Sequence, residues 1–174
     1  MSELTKKQME EILLAHEIAE LEMDVEATLA TLAPNPHYEI ASLGWAIDGT
    51  DAVRETYHRI LRQQGRGVAA EKRVHAVAEN TLLREAFMTF NTLDGERVTG
   101  LYLVVMAFDP DLKLISGERM YTDPNFGQMM AELLGPDFGS LPGVSRISDT
   151  APVIDKHDAY KYAAARGLTI TPPE

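Results

Sequence analysis

The chain has 174 residues, enough for one domain with a substantial apolar core. Its formal net charge of −11 argues against binding to nucleic acid or to an anionic membrane surface, because both require a basic face on the protein. It contains no cysteine and no apolar run near the roughly 20 residues of a membrane-spanning helix. Without a secretory signal segment at its start, the sequence predicts a cytoplasmic protein.

The first predicted element is one amphipathic helix over residues 5–32. Side chains of one stripe recur along it at three- and four-residue steps, with charged residues between them. The members of this stripe are Leu13, His16, Ile18, Leu21, Val25, Leu29 and Leu32. Pro34 and Pro36 are expected to end the helix.

A half-buried strand is predicted next, because one set of side chains alternates with another at a period of two residues. The predicted inner set is Tyr38, Ile40 and Ser42, and the outer set is His37, Glu39 and Ala41. Gly49 then predicts a turn that leads into a helix over residues 52–63. The inner stripe of that helix is Val53, Tyr57, Ile60 and Leu61.

The middle of the chain predicts a meander of long strands over residues 68–78, 81–92, 98–108 and 114–122. Asp94 and Gly95 form a strong two-residue hairpin signal between the second and third of these. A short helix is expected over residues 126–134, and another over residues 155–166 with Gly167 as its stop. We expect a domain of residues 1–134 and a C-terminal extension of residues 135–174 that packs on the domain or on a partner subunit.

Two segments resemble one known fold family. Gly49, Ala52, Val53, Arg54 and Tyr57 match its pattern Gly-x-x-Ala-aliphatic-Arg-x-x-Tyr, and residues 113–123 resemble its last strand, Gly-Lys-Ile-Val-x-x-Glu-Arg-x-Tyr-x-Asp. The chain thus resembles the NTF2-like superfamily, which includes ketosteroid isomerases and SnoaL-like polyketide cyclases. This resemblance implies an α+β cone, in which a curved mixed or antiparallel sheet wraps around N-terminal helices and encloses a pocket.

Strand alternation predicts which side chains face the concave side of that cone. They are Tyr38, Ile40, Glu85, Phe87, Thr89, Tyr102, Val104, Met106, Glu118, Met120 and Thr122. Most are apolar or aromatic, as expected of a site for a small hydrophobic molecule, although the same pattern is typical of an ordinary core. Trp45 could cover the mouth of the cone, or serve in packing or at a dimer interface.

The resemblance to ketosteroid isomerases can be carried over residue by residue. Ile40 stands where those enzymes have a proton-transferring carboxylate, and His16 and Val104 stand where they have an oxyanion-binding tyrosine and aspartic acid. Met120 stands where SnoaL-like cyclases have an acid or base. The resemblance thus argues against ketosteroid isomerisation and weakens the SnoaL cyclisation mechanism for this chain.

A different polar set replaces those groups. Tyr57 is expected to hydrogen-bond His16, and a histidine can donate or accept a proton near neutral pH. We predict His16 and Glu85 as an acid/base pair oriented by Tyr57, with Glu118 as a further buried carboxylate. In the alternative, His16 is a core histidine and Glu85 pairs with a neighbour, namely Arg84, Arg119 or Lys72.

The functional expectation is a SnoaL-like protein that binds a small apolar or polycyclic molecule. It would act as an isomerase, dehydratase or cyclase without a cofactor, and as a homodimer formed through its sheet. The remaining histidines lack metal-ligand spacing, so no metal site is expected. The alternative is a non-catalytic ligand-binding or dimerisation module that has lost the carboxylates of the family.

Overall fold

A computed structural model of the chain describes residues 3–62, 65–147 and 159–168. The described residues form five α-helices, named here in chain order: α1 (Lys6–Leu21), α2 (Val25–Leu29), α3 (Thr50–Ile60), α4 (Pro124–Leu134) and α5 (Ala159–Ala165). They also form seven strands: β1 (Leu32–Ile40), β2 (Trp45–Asp48), β3 (Ala69–Ala78), β4 (Thr81–Asn91), β5 (Arg97–Asp109), β6 (Leu114–Thr122) and β7 (Val144–Arg146).

All seven strands belong to one mixed sheet in the order β3-β4-β5-β6-β1-β2-β7. The β1–β6 pair is parallel, and every other neighbouring pair is antiparallel. Helix α1 packs on β6, α3 packs on β1 and β2, and α4 packs on β5. The sheet is not closed, so the architecture is the expected α+β cone with helices on its concave side.

The N-terminal helix is shorter than the sequence predicted. The side chains of Thr5 and Gln8 form a capping box at the start of α1, and the helix ends at Leu21. Met23 takes a left-handed backbone conformation, with φ of 56°, and Asp24 then caps α2 through the backbone N–H of Ala27 at 3.0 Å. The predicted single helix over residues 5–32 is therefore wrong, because the cap at Asp24 starts a second helix.

The first strand begins earlier and ends earlier than predicted. Leu32 already pairs with β6, and the register shifts between Leu32 and His37, across the two prolines. Tyr38 and Ile40 are fully buried, as expected. Ser42 is not part of the strand, because residues Ala41–Leu43 form a 3₁₀ turn that leads into β2.

Part of the predicted C-terminal extension completes the sheet. Strand β7 pairs with β2, and Phe138 is buried against it. The ring of Trp45 lies 6.1 Å from that of Phe138, and the guanidinium of Arg146 stacks 3.8 Å from the centre of the indole. Trp45 is therefore fixed at the β2–β7 edge and does not cover a cone mouth. Helix α5 agrees with the predicted last helix, of which residues 155–158 lie outside the described part.

The predicted inward face of β4 is wrong by one residue. Leu82, Ala86 and Phe90 are buried, whereas the alternate row with Glu85 and Phe87 faces the convex side. A shift of one residue turns every side chain of a strand to the other face. The β4 sequence carries apolar residues on both faces, so its pattern did not distinguish them. For β5 and β6 the predicted inward rows are confirmed, with Val104, Met106 and Met120 buried.

A close backbone approach fixes the pairing of β1 with β6. A side chain at Gly117 would place its Cβ 2.0 Å from the carbonyl oxygen of His37, a distance that no real contact allows. Only glycine therefore permits the parallel register in which Tyr38 lies beside Glu118.

Replacing this glycine should damage the fold strongly. We expect Gly117→Ala to reduce the free energy of unfolding by about 3 kcal/mol or more, because the clash is with the backbone and cannot be relieved by a rotamer change. Urea denaturation followed by circular dichroism measures this. Ser116→Ala on the same strand is the control, and an equal loss in both variants would contradict the close-approach explanation.

Candidate functional site

The side chain of His16 is fully buried on α1, and its Nδ1 atom has a fixed role. Nδ1 lies 2.6 Å from Oγ1 of Thr31, and that hydroxyl donates its hydrogen to the carbonyl oxygen of Thr28 at 2.6 Å. A hydroxyl has only one hydrogen, so Oγ1 must accept from Nδ1–H. Nε2 is therefore the imidazole atom that can gain or lose a proton.

Three oxygen atoms from three elements surround Nε2 of His16. The hydroxyl of Tyr57 on α3 lies at 3.0 Å, Oε1 of Glu20 on α1 at 3.3 Å, and Oε1 of Glu118 on β6 at 3.4 Å. The Tyr57 hydroxyl also bonds the hydroxyl of Tyr38 at 3.0 Å. The predicted hydrogen bond between His16 and Tyr57 is confirmed, and it belongs to a buried network.

The two carboxylates change the ionisation of the imidazole. Burial lowers the pKa of His16, but the carboxylates of Glu118 and Glu20 close to Nε2 outweigh it and raise the pKa from 6.5 to about 10. Burial raises the pKa of Glu118 above its usual value of 4.5, and His16 opposes that rise. The two groups therefore titrate as one coupled pair.

Glu118 retains unused hydrogen-bonding capacity. Its side chain is 4% exposed, and within the described residues its Oε1 atom has no hydrogen-bond partner. The 3.4 Å contact with Nε2 is longer than the 2.7–3.2 Å of an ordinary N–H···O bond. A buried acceptor without a protein donor is costly, and such an atom is satisfied by an ordered water or used by a ligand or a reaction.

The network meets solvent at one side. The side chain of Glu20 is 33% exposed, and Tyr102 on β5 is half-buried. In the part of the chain that is described, the Tyr102 hydroxyl makes no hydrogen bond. Burial raises the pKa of Tyr102 well above 10, as do the charges of Glu118 and Glu20. Arg84, at the same side, pairs with Glu17 and points inward, although the predicted inward row of its strand contained the neighbouring Glu85 instead.

Glu85 does not belong to this site. Its carboxylate lies 3.0 Å from the guanidinium of Arg73 on the convex side, and the same guanidinium stacks 4.5 Å from the ring centre of Phe87. The predicted His16–Glu85 pair is therefore wrong, and Phe87 is not part of a concave lining. Glu118, the other predicted carboxylate, takes the place beside His16.

The remaining predicted ligand-binding residues form the apolar surroundings of the network. Ile40, Val104, Met106 and Met120 are buried in the core beside it.

Two residues of the site, Glu20 and Thr31, were not predicted from the sequence. Glu20 stands four residues after His16, a helical spacing that places two side chains on one face and could have indicated it. Thr31 gave no signal, because its contact depends on the break between α1 and α2.

Among residues 3–62, 65–147 and 159–168, no three His, Cys, Asp or Glu side chains are arranged so that they could hold a metal ion. Within those ranges, no helix is long and apolar enough to cross a membrane.

A cavity of about 180 Å³ lies apart from the network, between α4, the end of β4 and the start of β5. Its lining consists of Arg66, Phe90, Thr92, Glu96, Val98, Asn125, Gln128, Met129 and Glu132. Neither His16 nor Glu118 contributes to it.

Comparison with known proteins identifies the fold through solved structures. No family model matches the sequence, and no curated protein matches it. The chain is similar to a protein of Shewanella denitrificans OS-217 described as a SnoaL-like polyketide cyclase, with a TM-score of 0.58, 10% identity and coverage of 70% of this chain and 95% of that one. It is similar to the epoxide hydrolase/cyclase-like enzyme SalBIII of salinomycin pyran ring formation, with a TM-score of 0.58, 17% identity and coverage of 69% and 94%.

A third similar structure is a protein of Catenulispora acidiphila DSM 44928 with a ketosteroid isomerase-like fold, solved in complex with trimethylamine. Its TM-score is 0.53, with 14% identity and coverage of 64% of this chain and 84% of that one. These neighbours confirm the NTF2-like fold of the SnoaL-like and ketosteroid isomerase-like proteins. At such low identity they establish the fold and not the reaction.

The coupled pair should make the stability of the protein fall as the pH rises. The folded-state pKa of His16 lies above its ordinary 6.5, so its stabilisation is complete below pH 6.5 and is lost as the pH approaches about 10. The raised pKa of Glu118 acts in the same direction. We expect a loss of about 2 to 4 kcal/mol over that interval.

Urea denaturation at pH 6, 8 and 10 measures this slope. The double variant His16→Gln, Glu118→Gln carries neither titrating group, so its stability should vary less with pH than that of the unchanged protein. Glu85→Gln serves as the control and should keep the original slope. Equal slopes in the unchanged protein and the double variant would contradict the coupled pair.

Proposed function

We propose that the chain is a cofactor-independent acid–base enzyme of the SnoaL-like kind, acting on a small hydrophobic molecule in its cone. The observation that carries this proposal is the buried contact of His16 Nε2 with Glu118 Oε1 at 3.4 Å. Buried ionisable groups with strongly shifted pKa values are typical of sites that move protons. An isomerase, dehydratase or cyclase needs such a pair, because each reaction removes one proton and delivers another.

The roles of the two groups follow from their atoms. Glu118 Oε1, with no hydrogen-bond donor among the described residues, is the base that takes a proton from a substrate carbon. Protonated Nε2 of His16 donates to the oxygen on which negative charge develops, and so it replaces the oxyanion-binding tyrosine of ketosteroid isomerases. Thr31 holds the imidazole through Nδ1, which keeps Nε2 directed at the reacting atoms.

The two tyrosines support the histidine as neutral hydroxyls. The oxygen of Tyr57 accepts from protonated Nε2 of His16 at 3.0 Å, and the same hydroxyl bonds that of Tyr38 at 3.0 Å. Burial raises the pKa values of Tyr57 and Tyr38 well above 10, so both hydroxyls keep their hydrogens at neutral pH. The carboxylate of Glu20 lies near Nε2 and is partly exposed, so it can carry protons between the pair and solvent. The substrate approaches from the side of Glu20 and Tyr102, where the network meets solvent.

The surroundings favour an apolar substrate. Ile40, Val104, Met106 and Met120 enclose the network, and a low-polarity environment strengthens the electrostatic interactions within it. Two structurally similar proteins, the SnoaL-like cyclase and SalBIII, are named for cyclisation or pyran ring formation. Their names support a polycyclic or ring-forming substrate for this chain.

The proposal also includes a homodimer formed through the convex face of the sheet. On that face, large apolar side chains are exposed: Val74 to 45%, Phe87 to 38% and Tyr121 to 45%. An exposed apolar patch of this kind is unusual in a monomer. Two ion pairs on this face, Arg73 with Glu85 and Arg119 with Glu39, neutralise part of its charge. A second copy that packs against the same face, as in a two-fold interface, would cover the exposed apolar side chains.

The acid–base role is tested with 5-nitrobenzisoxazole, which a single proton abstraction opens to a coloured product. We expect turnover by the unchanged protein and a loss of at least about 100-fold in kcat/KM for Glu118→Gln, since the base is removed. His16→Gln should also lose activity. Glu85→Gln is the matched control, because it makes the same chemical change on the convex side.

Equal kcat/KM values for Glu118→Gln and Glu85→Gln would show that Glu118 takes no part in catalysis. Native mass spectrometry of protein from its own host provides an independent readout, since a retained hydrophobic molecule would identify the substrate class. Binding of such a molecule with no turnover in any variant would favour the non-catalytic module.

Light scattering after size-exclusion chromatography tests the dimer. The unchanged chain, of 19.3 kDa, should elute at twice that mass. Leu103→Asp, which places a charge on the convex face between Glu85 and Tyr121, should give a monomer. Leu112→Asp, in an exposed turn, is the control and should remain dimeric. A monomeric unchanged chain would contradict the dimer.

A further inference from the structure

The cavity beside α4 has the features of a second binding site, separate from the proposed acid–base site. One side is formed by Phe90 and Val98, which pair across β4 and β5, and another by Met129 of α4. The network lies near Leu82 and Met106, eight residues further along the same two strands. At about 3.3 Å per residue this is a separation of roughly 26 Å. Phe126 and Tyr102 pack against each other between the two places.

The volume of the cavity suits a ligand with a single ring. It is about 180 Å³, and Phe90, Val98 and Met129 supply the apolar part of a lining that is otherwise polar. An enclosed apolar cavity of about 150 Å³ in another protein binds benzene. A six-membered ring with one short substituent therefore fits here.

The polar part of the lining offers acceptors. Arg66 donates to the backbone oxygen of Asn91 at 3.2 Å and to Oε2 of Glu132 at 2.7 Å. Gln128 donates to Oε1 of Glu132 at 3.2 Å, and Asn125 donates to the backbone oxygen of Thr99 at 3.4 Å. These N–H groups are directed at the protein itself. The side-chain oxygens of Gln128 and Asn125 accept no hydrogen bond from the described residues.

The charges of the lining favour a cation. Arg66 is buried and is neutralised by its ion pair with Glu132. Glu96, at the hairpin end, has no ion pair among the residues that the structure describes. The lining therefore keeps one negative charge, and the whole chain carries −11, which also attracts cations.

From these observations we infer that this cavity binds a small primary amine that carries one apolar six-membered ring. The ring packs between Phe90, Val98 and Met129, and the ammonium group donates to Glu96 and to the free amide oxygens of Asn125 and Gln128. An ammonium has three donors and no acceptor, which matches this acceptor-rich rim. The site does not depend on the proposed reaction of His16 and Glu118.

Isothermal titration calorimetry with benzylamine tests the inference, with benzyl alcohol and benzoate as comparison ligands of the same ring size. We expect saturable binding of benzylamine to the full chain with a Kd of about 1 mM or tighter. Benzyl alcohol should bind several-fold more weakly, and benzoate should not bind. Added salt should weaken the binding of benzylamine, because a charge interaction contributes to it.

Matched variants locate the binding. Val98→Phe fills the cavity from a half-buried position and should abolish binding, whereas Thr99→Phe adds the same ring to the other face of β5 and should not. Glu96 is exposed, so Glu96→Gln should leave the fold intact. It should weaken the binding of benzylamine about as much as replacing benzylamine by benzyl alcohol does. Glu118→Gln should bind benzylamine normally, which separates this site from the acid–base pair.

Four results would overturn the inference. The first is no saturable binding of benzylamine by the unchanged chain, and the second is equal binding by Val98→Phe and Thr99→Phe. The third is tighter binding of benzoate than of benzylamine, which would mean that Arg66 selects an anion. Loss of benzylamine binding in Glu118→Gln would place the amine at the acid–base site and would also overturn it.

Discussion

The parallel pairing of β1 with β6 is the constraint on which the candidate site depends. Gly117 lets the two backbones approach closely, and the register that results sets Tyr38 directly beside Glu118. Helix α1 packs on the same strand β6 and brings His16 to the carboxylate. Tyr38 and Glu118, eighty residues apart in the chain, thus lie side by side, and the polar atoms of the network come from four elements, α1, α3, β1 and β6.

Burying this network has a cost in the free energy of folding. His16, Tyr57, Tyr38 and Glu118 are all withdrawn from water, and burying ionisable groups opposes folding unless each finds a partner. Most of the cost is offset, because the imidazole is bonded at both nitrogens and the hydroxyls bond in series. The offset is incomplete at Glu118 Oε1. Proteins keep such groups mostly where charge must move, although purely structural networks also contain them.

The site differs from what the resemblance to ketosteroid isomerases and SnoaL-like cyclases implies. By that resemblance, Ile40, Val104 and Met120 stand at positions where those enzymes have carboxyl groups. A carboxylate is present instead at Glu118, which lies two residues before Met120 on the same strand and therefore on the same face. The same scaffold thus carries its buried carboxylate at a different position, in keeping with the rule that fold alone does not define function.

The sequence alone determined the scaffold, because helix spacing, strand alternation and hairpin signals are local properties. It also indicated the bond between His16 and Tyr57, through a resemblance to related proteins. It could not decide which face of β4 points inward, since both faces carry apolar residues and a shift of one residue exchanges them. Only the register of β4 against β5 turned Glu85 outward to Arg73, and only the pairing of β1 with β6 placed Glu118 beside His16. Such choices are made by contacts between distant segments, which depend on the tertiary structure as a whole.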